Sequence, residues 1–105
     1  MVNKLPFDPA LHLRTDEDIL NFLTQAFATH DAGLIAYALG VVMRLRGPSR
    51  VARESGLSRE QLYRTLSGKG NPTLKTILAV LRSLGVDLAA TAPRDMEGVA
   101  EAAGD

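Results

Sequence analysis

Apolar positions recur at helical spacing through most of this chain, and alternation at a period of two is almost absent. After an irregular opening, "NKLPFDPALHL", Thr15 is followed by Asp16, Glu17 and Asp18. A hydroxyl cap and three carboxylates in a first turn satisfy exposed amides and oppose the helix dipole, so a helix starts there. Ile19, Leu20, Phe22, Leu23, Ala26 and Phe27 mark its apolar face, and Thr29-His30-Asp31 ends it. Asp31 is placed to cap a second helix, about Ala32 to Arg46. That helix is apolar nearly all round (Leu34, Ile35, Tyr37, Leu39, Val41, Val42, Met43, Leu45), the pattern of an element covered on most sides, so it is expected at the centre. Tyr37 reads as a half-buried core residue.

Gly47 stops the second helix, and Pro48 suits the first turn of a third, where its missing N–H costs nothing. This third helix runs from Pro48 to Ser55, a turn follows at Gly56-Leu57, and a fourth helix spans Arg59 to Ser67. Thr73 caps a fifth with Leu74, Ile77, Leu78, Leu81 and Leu84 on one face, and Gly85 ends it in a left-handed cap. "VDLAATA" alternates briefly and predicts a short C-terminal β-strand at an edge. The expected architecture is all-α, a compact bundle of about five helices. Its divisions are an extended lead-in (residues 1–14), a helical domain (15–92) and a flexible acidic tail (93–105). No internal repeat is present.

The pair of short helices meets the requirements of a helix-turn-helix at about residues 48–67. Ala52 is small where the two helices approach. Gly56 follows four residues later, where a positive φ is wanted and a β-carbon would clash. Val51, Leu57, Leu62 and Leu66 supply the buried side. Ser58 and Gln61 are spaced as a capping box. With Leu62 and Leu66 inward, Arg59, Glu60, Tyr63, Arg64 and Ser67 face out, with Ser58 at the tip. Arg59, nearest the helix start, is the first candidate to read guanine in a major groove; Glu60 would accept from cytosine or orient Arg59. Tyr63 and Arg64 follow a turn later. Ser49 and Arg50 before the turn, and Lys69 and Asn71 in the loop after it, are placed for phosphate contacts that fix register.

Charge reinforces that reading. The chain of 105 residues is formally neutral, but Arg44 to Arg82 holds nine basic and two acidic residues, a net +7. The remainder holds three basic and ten acidic residues, a net −7. A basic middle between acidic ends points to a polyanion-binding core.

Other chemistry finds little support. There is no cysteine, which removes disulfides and thiolate metal sites and fits a reducing compartment, so a cytoplasmic protein is expected. His12 and His30 are far apart, so neither a metal nor a cofactor is implied. "GKG" lacks the full glycine spacing and the Lys-Ser/Thr of a phosphate-binding loop. No nucleophile, base and orienting group can be assembled, so the chain is not read as an enzyme. No apolar run reaches the roughly 20 residues of a membrane span.

The stretch "VARESGLSREQLYRTLSGKGNPTLKTILAVLRSLGVDL" resembles addiction-module antidote proteins, the HigA-like antitoxins with a phage-repressor-type helix-turn-helix. "SGLSREQLYRTLS" and "GNPTLKT" are its most specific pieces. A looser likeness in "LPFDPALHL" and "FLTQAFATHDAGLIAYALGVVMRLRG" extends it over Leu5 to Leu88. Pro48 departs locally from the pattern. The resemblance implies a partner, a RelE/HigB-like toxin, which the protein would bind and silence while repressing the shared operon. The lead-in and first helix are the expected toxin-binding part. Binding to double-stranded operator DNA implies a homodimer, since two recognition helices must reach one face of a duplex. A stand-alone repressor without a toxin, and an interaction module that has lost DNA binding, remain open alternatives.

Overall fold

Four of the five described helices begin where a short polar side chain satisfies exposed amides, and the third opens on Gly47-Pro48 with no side-chain cap. The computed structural model describes residues 13–93, and within them five helices follow in order. Helix α1 spans Asp16–Ala28, α2 Ala32–Arg46, α3 Pro48–Ser55, α4 Arg59–Thr65 and α5 Leu74–Ser83. Thr15 Oγ1 accepts from Asp18 N at 3.1 Å while Asp18 Oδ2 accepts from Thr15 N at 3.1 Å, a reciprocal cap. Asp31 caps α2 through Leu34 N at 3.1 Å, and Thr73 caps α5 through Thr76 N at 3.1 Å. Gly47, Gly56 and Gly85 take φ values of 105°, 79° and 77° at the ends of α2, α3 and α5.

Helix α2 is the central element, packed against α1, α3 and α4. Ala36, Ala38, Leu39, Val42 and Met43 are almost wholly buried along it. Tyr37 is half-buried against the core. Ile19, Phe22 and Leu23 from α1, Val51 from α3, Leu62 and Leu66 from α4 and its end, and Val80, Leu81 and Leu84 from α5 complete one continuous core. Arg46 also reaches back to Asp16 at 2.8 Å, tying the end of α2 to the start of α1. Both groups are partly in water, so this pair adds little stability.

Helix α2 meets α4 unusually closely. A β-carbon on Gly40 would lie 2.3 Å from the carbonyl oxygen of Leu66, and one on Gly33 would lie 2.7 Å from that of Gly68. Glycine at these two positions lets the end of α4 and its following loop rest directly on the backbone of α2.

Several expectations are corrected. Helix α4 ends at Thr65 rather than Ser67, because Leu66 leaves helical geometry (φ −99°, ψ 60°) as its carbonyl seats against Gly40. No clash accounts for Gly56, since a β-carbon there would meet nothing within 4 Å; its positive φ alone favours glycine. Leu20 on α1 is 47% exposed, and Leu45 near the end of α2 is also exposed. On α5, Leu74 and Leu78 are 62% and 46% exposed while Val80 is fully buried, so the packed face is turned toward Val80. That helix packs on α3, and the contact covers a narrower stripe than the leucine pattern offers.

No strand occurs among the described residues, and the expected strand in "VDLAATA" does not form. A strand needs a partner, and none is available in a helical bundle. After Val86 N bonds to Leu81 O at 2.9 Å, the segment instead runs beside α1. There it lines a groove of about 630 Å³ with Leu20, Leu23, Thr24 and Phe27. The acidic tail, apart from Pro93, and the lead-in up to His12 lie outside the described residues.

Candidate nucleic-acid interface

Two fully buried anchors, Leu62 and Leu66, fix which side of α4 is left for other work. The start of the helix is set locally. Ser58 Oγ accepts from Gln61 N at 3.0 Å, and Gln61 Oε1 accepts from Ser58 N at 3.0 Å, closing the capping box. The Ser58 hydroxyl is thereby engaged in the cap. Leu57, half-buried, packs against the core beneath the turn.

Arg59, Glu60, Tyr63 and Arg64 are exposed on the opposite side. Tyr63, 37% exposed, is the centre of this surface. The Arg59 guanidinium lies 5.8 Å from its ring centroid, and Nη2 donates to the Tyr63 hydroxyl at 3.5 Å. Arg59 Nη1 donates to Ser49 Oγ on α3 at 3.3 Å. The residues orienting Arg59 are therefore Ser49 and Tyr63, so of the two roles expected for Glu60 the orienting one is not taken up. These contacts are long and leave most donors on the arginine open to solvent.

Ser49 and Arg50 are both exposed on the first turn of α3. Arg50 is paired with Glu54 one turn along, Nε to Oε2 at 3.3 Å, which takes up part of its charge. Lys69 and Asn71 are exposed in the loop beyond α4. Ser67 is half-buried rather than outward, and its hydroxyl donates to the Arg64 carbonyl at 3.4 Å. Its role is to close the end of α4.

The sequence reading missed Arg44 as a member of this surface. Its guanidinium, carried on the last turn of α2, stands 5.4 Å from the Tyr63 ring centroid. The pertinent signal was its place in the basic run from Arg44 to Arg82; its distance from Tyr63 along the chain concealed the contact. Among the described residues no carboxylate pairs with Arg44, Arg59 or Arg64. Cations converging without counterions make an anion-attracting face.

Nothing among the described residues suggests a metal centre, since no cluster of three His, Cys, Asp or Glu side chains occurs. No helix among them is long and apolar enough to cross a membrane.

A protein of Haemophilus influenzae, described only as "Uncharacterized protein", is 42% identical over 80 residues. The match covers 76% of this chain and 82% of that relative. No solved structure matches. Residues 3–92 match the family described as "Probable addiction module antidote protein", nearly the whole length of the chain, and the chain belongs to that family.

Proposed function

We propose that this protein is the antitoxin of a type II toxin–antitoxin module, neutralising a RelE/HigB-like toxin and repressing its own operon as a DNA-binding homodimer. In this reading α3 and α4 form a helix-turn-helix of the kind found in HigA-like and phage-repressor domains. Membership of an antidote family carries the toxin-binding half. The exposed Arg59, Tyr63 and Arg64, on a helix anchored by Leu62 and Leu66 alone, carry the DNA-binding half.

The mechanism assigns different work to different side chains. Arg59, held at the front of α4 by Ser49 and Tyr63, reads a guanine edge in the major groove. Glu60 accepts from a cytosine amine, and Tyr63 and Arg64 meet neighbouring bases or phosphates. Arg50, Lys69 and Asn71, with the hydroxyls of Ser49 and Ser58, fix register against the backbone. Two copies related by a two-fold axis place their α4 helices about 34 Å apart on one duplex face. The protein acts by binding and not by catalysis, and works in the cytoplasm beside its toxin. The toxin-binding part is α1 with the lead-in before it.

Co-expression with the product of the adjacent gene tests the toxin half. A neighbour lethal alone and harmless beside this protein is expected; one that is harmless alone, or lethal in both cases, refutes it and leaves a stand-alone repressor. Gel-shift titration on the protein's own promoter tests the DNA half. Arg59→Ala is expected to weaken binding by roughly 1–3 kcal/mol and to relax preference at one base position. An unchanged affinity and preference refutes the docking orientation. Absence of any salt-dependent binding would instead favour a pure interaction module.

A further inference from the structure

We propose that Arg44, on α2 and outside the two short helices, is a phosphate-binding residue of the DNA interface, held in place by Tyr63. Arg59, against the same ring, keeps its base-edge role, so one tyrosine braces a phosphate contact and a base contact. The inference rests on the DNA-binding reading above and adds to it a contact from a third helix.

The argument begins with charge. Arg44 and Arg59 place their guanidinium carbons 5.4 and 5.8 Å from the centroid of the same ring. Two like charges held against one small aromatic repel each other, and both are solvated rather than buried. Charges left this way are ordinarily offset by a nearby carboxylate. Arg46, two residues along α2, takes Asp16 at 2.8 Å, and Arg50 takes Glu54 at 3.3 Å. Arg44 and Arg59 have no such partner among the described residues. A phosphate seated on Arg44 would neutralise one of the two charges and relieve the repulsion.

Geometry selects the anion. A guanidinium stacked on a ring has its orientation fixed and its edge donors outward, the arrangement that meets phosphate oxygens in pairs. Tyr63 also accepts from Arg59 through its hydroxyl, and Ser49 holds the other terminal nitrogen of Arg59. The ring therefore lies against both cations and restricts each of them. Arg44 sits on the last turn of α2, whose end is fixed by the buried Val42 and Met43. A contact from this helix would orient α4 in the groove, because α2 and α4 are joined almost backbone to backbone at Gly40.

The test is titration of a fluorescently labelled random-sequence DNA duplex at several salt concentrations. It uses the full chain and the variants Arg44→Ala, Arg44→Gln, Lys69→Ala and Tyr63→Leu, each checked for native helix content. The slope of log affinity against log salt is expected to flatten by about one unit in Arg44→Ala and equally in Arg44→Gln. In a Tyr63→Leu background the same Arg44 substitutions are expected to change the slope by less. A wild-type slope in both Arg44 variants, with a flattened one in Lys69→Ala, overturns the inference and leaves DNA binding standing. An Arg44 effect of the same size with and without the Tyr63 ring overturns the bracing by Tyr63. If the unaltered chain shows no salt-dependent binding, the DNA reading itself fails, and this inference with it.

Discussion

Replacing Gly40 by alanine pits helix propensity against packing, and the structure decides the winner. In the interior of α2 the added methyl would by itself favour the helix by about 0.8–1 kcal/mol. It would also stand 2.3 Å from the Leu66 carbonyl oxygen and 3.4 Å from Arg44 Nη1. The arginine can swing away; the carbonyl cannot, because it belongs to the backbone of a residue that is fully buried. Restoring ordinary contact requires the end of α4 to retreat by about 1 Å, loosening the packing of Leu62 and Leu66 against α2. Overpacking of this kind costs about 1–3 kcal/mol, and a backbone obstacle puts it at the upper end. The net expectation is a loss of about 1–2 kcal/mol, or a fall of roughly 5–15 °C in Tm for a domain of this size. Urea unfolding followed by circular dichroism measures it directly. Gly68→Ala is the control, since a methyl there meets nothing within 4 Å, and its expected change is within about 0.5 kcal/mol. A Gly40→Ala protein as stable as the wild type, or more so, would mean that α4 is not seated on α2 as described.

Leu62→Ala removes a fully buried side chain from the core and should cost roughly 2–5 kcal/mol in the same urea assay; a change below about 1 kcal/mol would contradict its burial. The Asp18 carboxyl is held below its ordinary value of 3.8, chiefly by the Arg14 amide and then by the Thr15 amide, both donating to Oδ2. Because the folded value lies below the unfolded one, its stabilisation is fully present above the ordinary carboxylate value and is lost as pH falls through the folded value. Asp18→Asn should therefore be less stable than wild type near neutrality, with the gap closing as pH drops through and below 3.8; a gap independent of pH refutes the assignment. Lys69→Ala should weaken binding to all duplexes alike and flatten the salt slope by about one unit, and any change in base preference would place this lysine at a base edge instead.

What was legible in the chain was local. Thr15, Asp31, Ser58 and Thr73 each announce a helix within three residues of the amide they accept from, and all four make that bond. Helix α2 declared its central place because few of its positions are suited to water. The failures share a cause, which is that a neighbouring element decides the outcome. The leucines of α5 define a stripe wide enough for two partners, but the helix packs on α3 along a face turned by roughly 50° toward Val80. The reason for a glycine at position 40 of the apolar second helix appears only when Leu66, far along the chain, is set against it. Of the two roles open to Glu60, orienting Arg59 is not taken up, since adjacent helical residues point apart while residues four apart, as Arg59 and Tyr63 are, share a face.

On the proposed DNA-binding reading, Arg59 can rest on Ser49 and Tyr63 and still be available to a base edge. Its two hydrogen bonds, at 3.3 and 3.5 Å, are at the weak end of the range, so they restrict the side chain without binding it strongly. A long arginine free in water loses considerable rotamer entropy when it docks, and a side chain already confined to one side of α4 loses less. Stronger partners would defeat the purpose: a carboxylate at salt-bridge distance would have to be displaced before any guanine or phosphate could enter. The absence of such a carboxylate beside Arg59 among the described residues, while Arg46 and Arg50 each have one, leaves the Arg59 guanidinium open to an incoming base edge or anion.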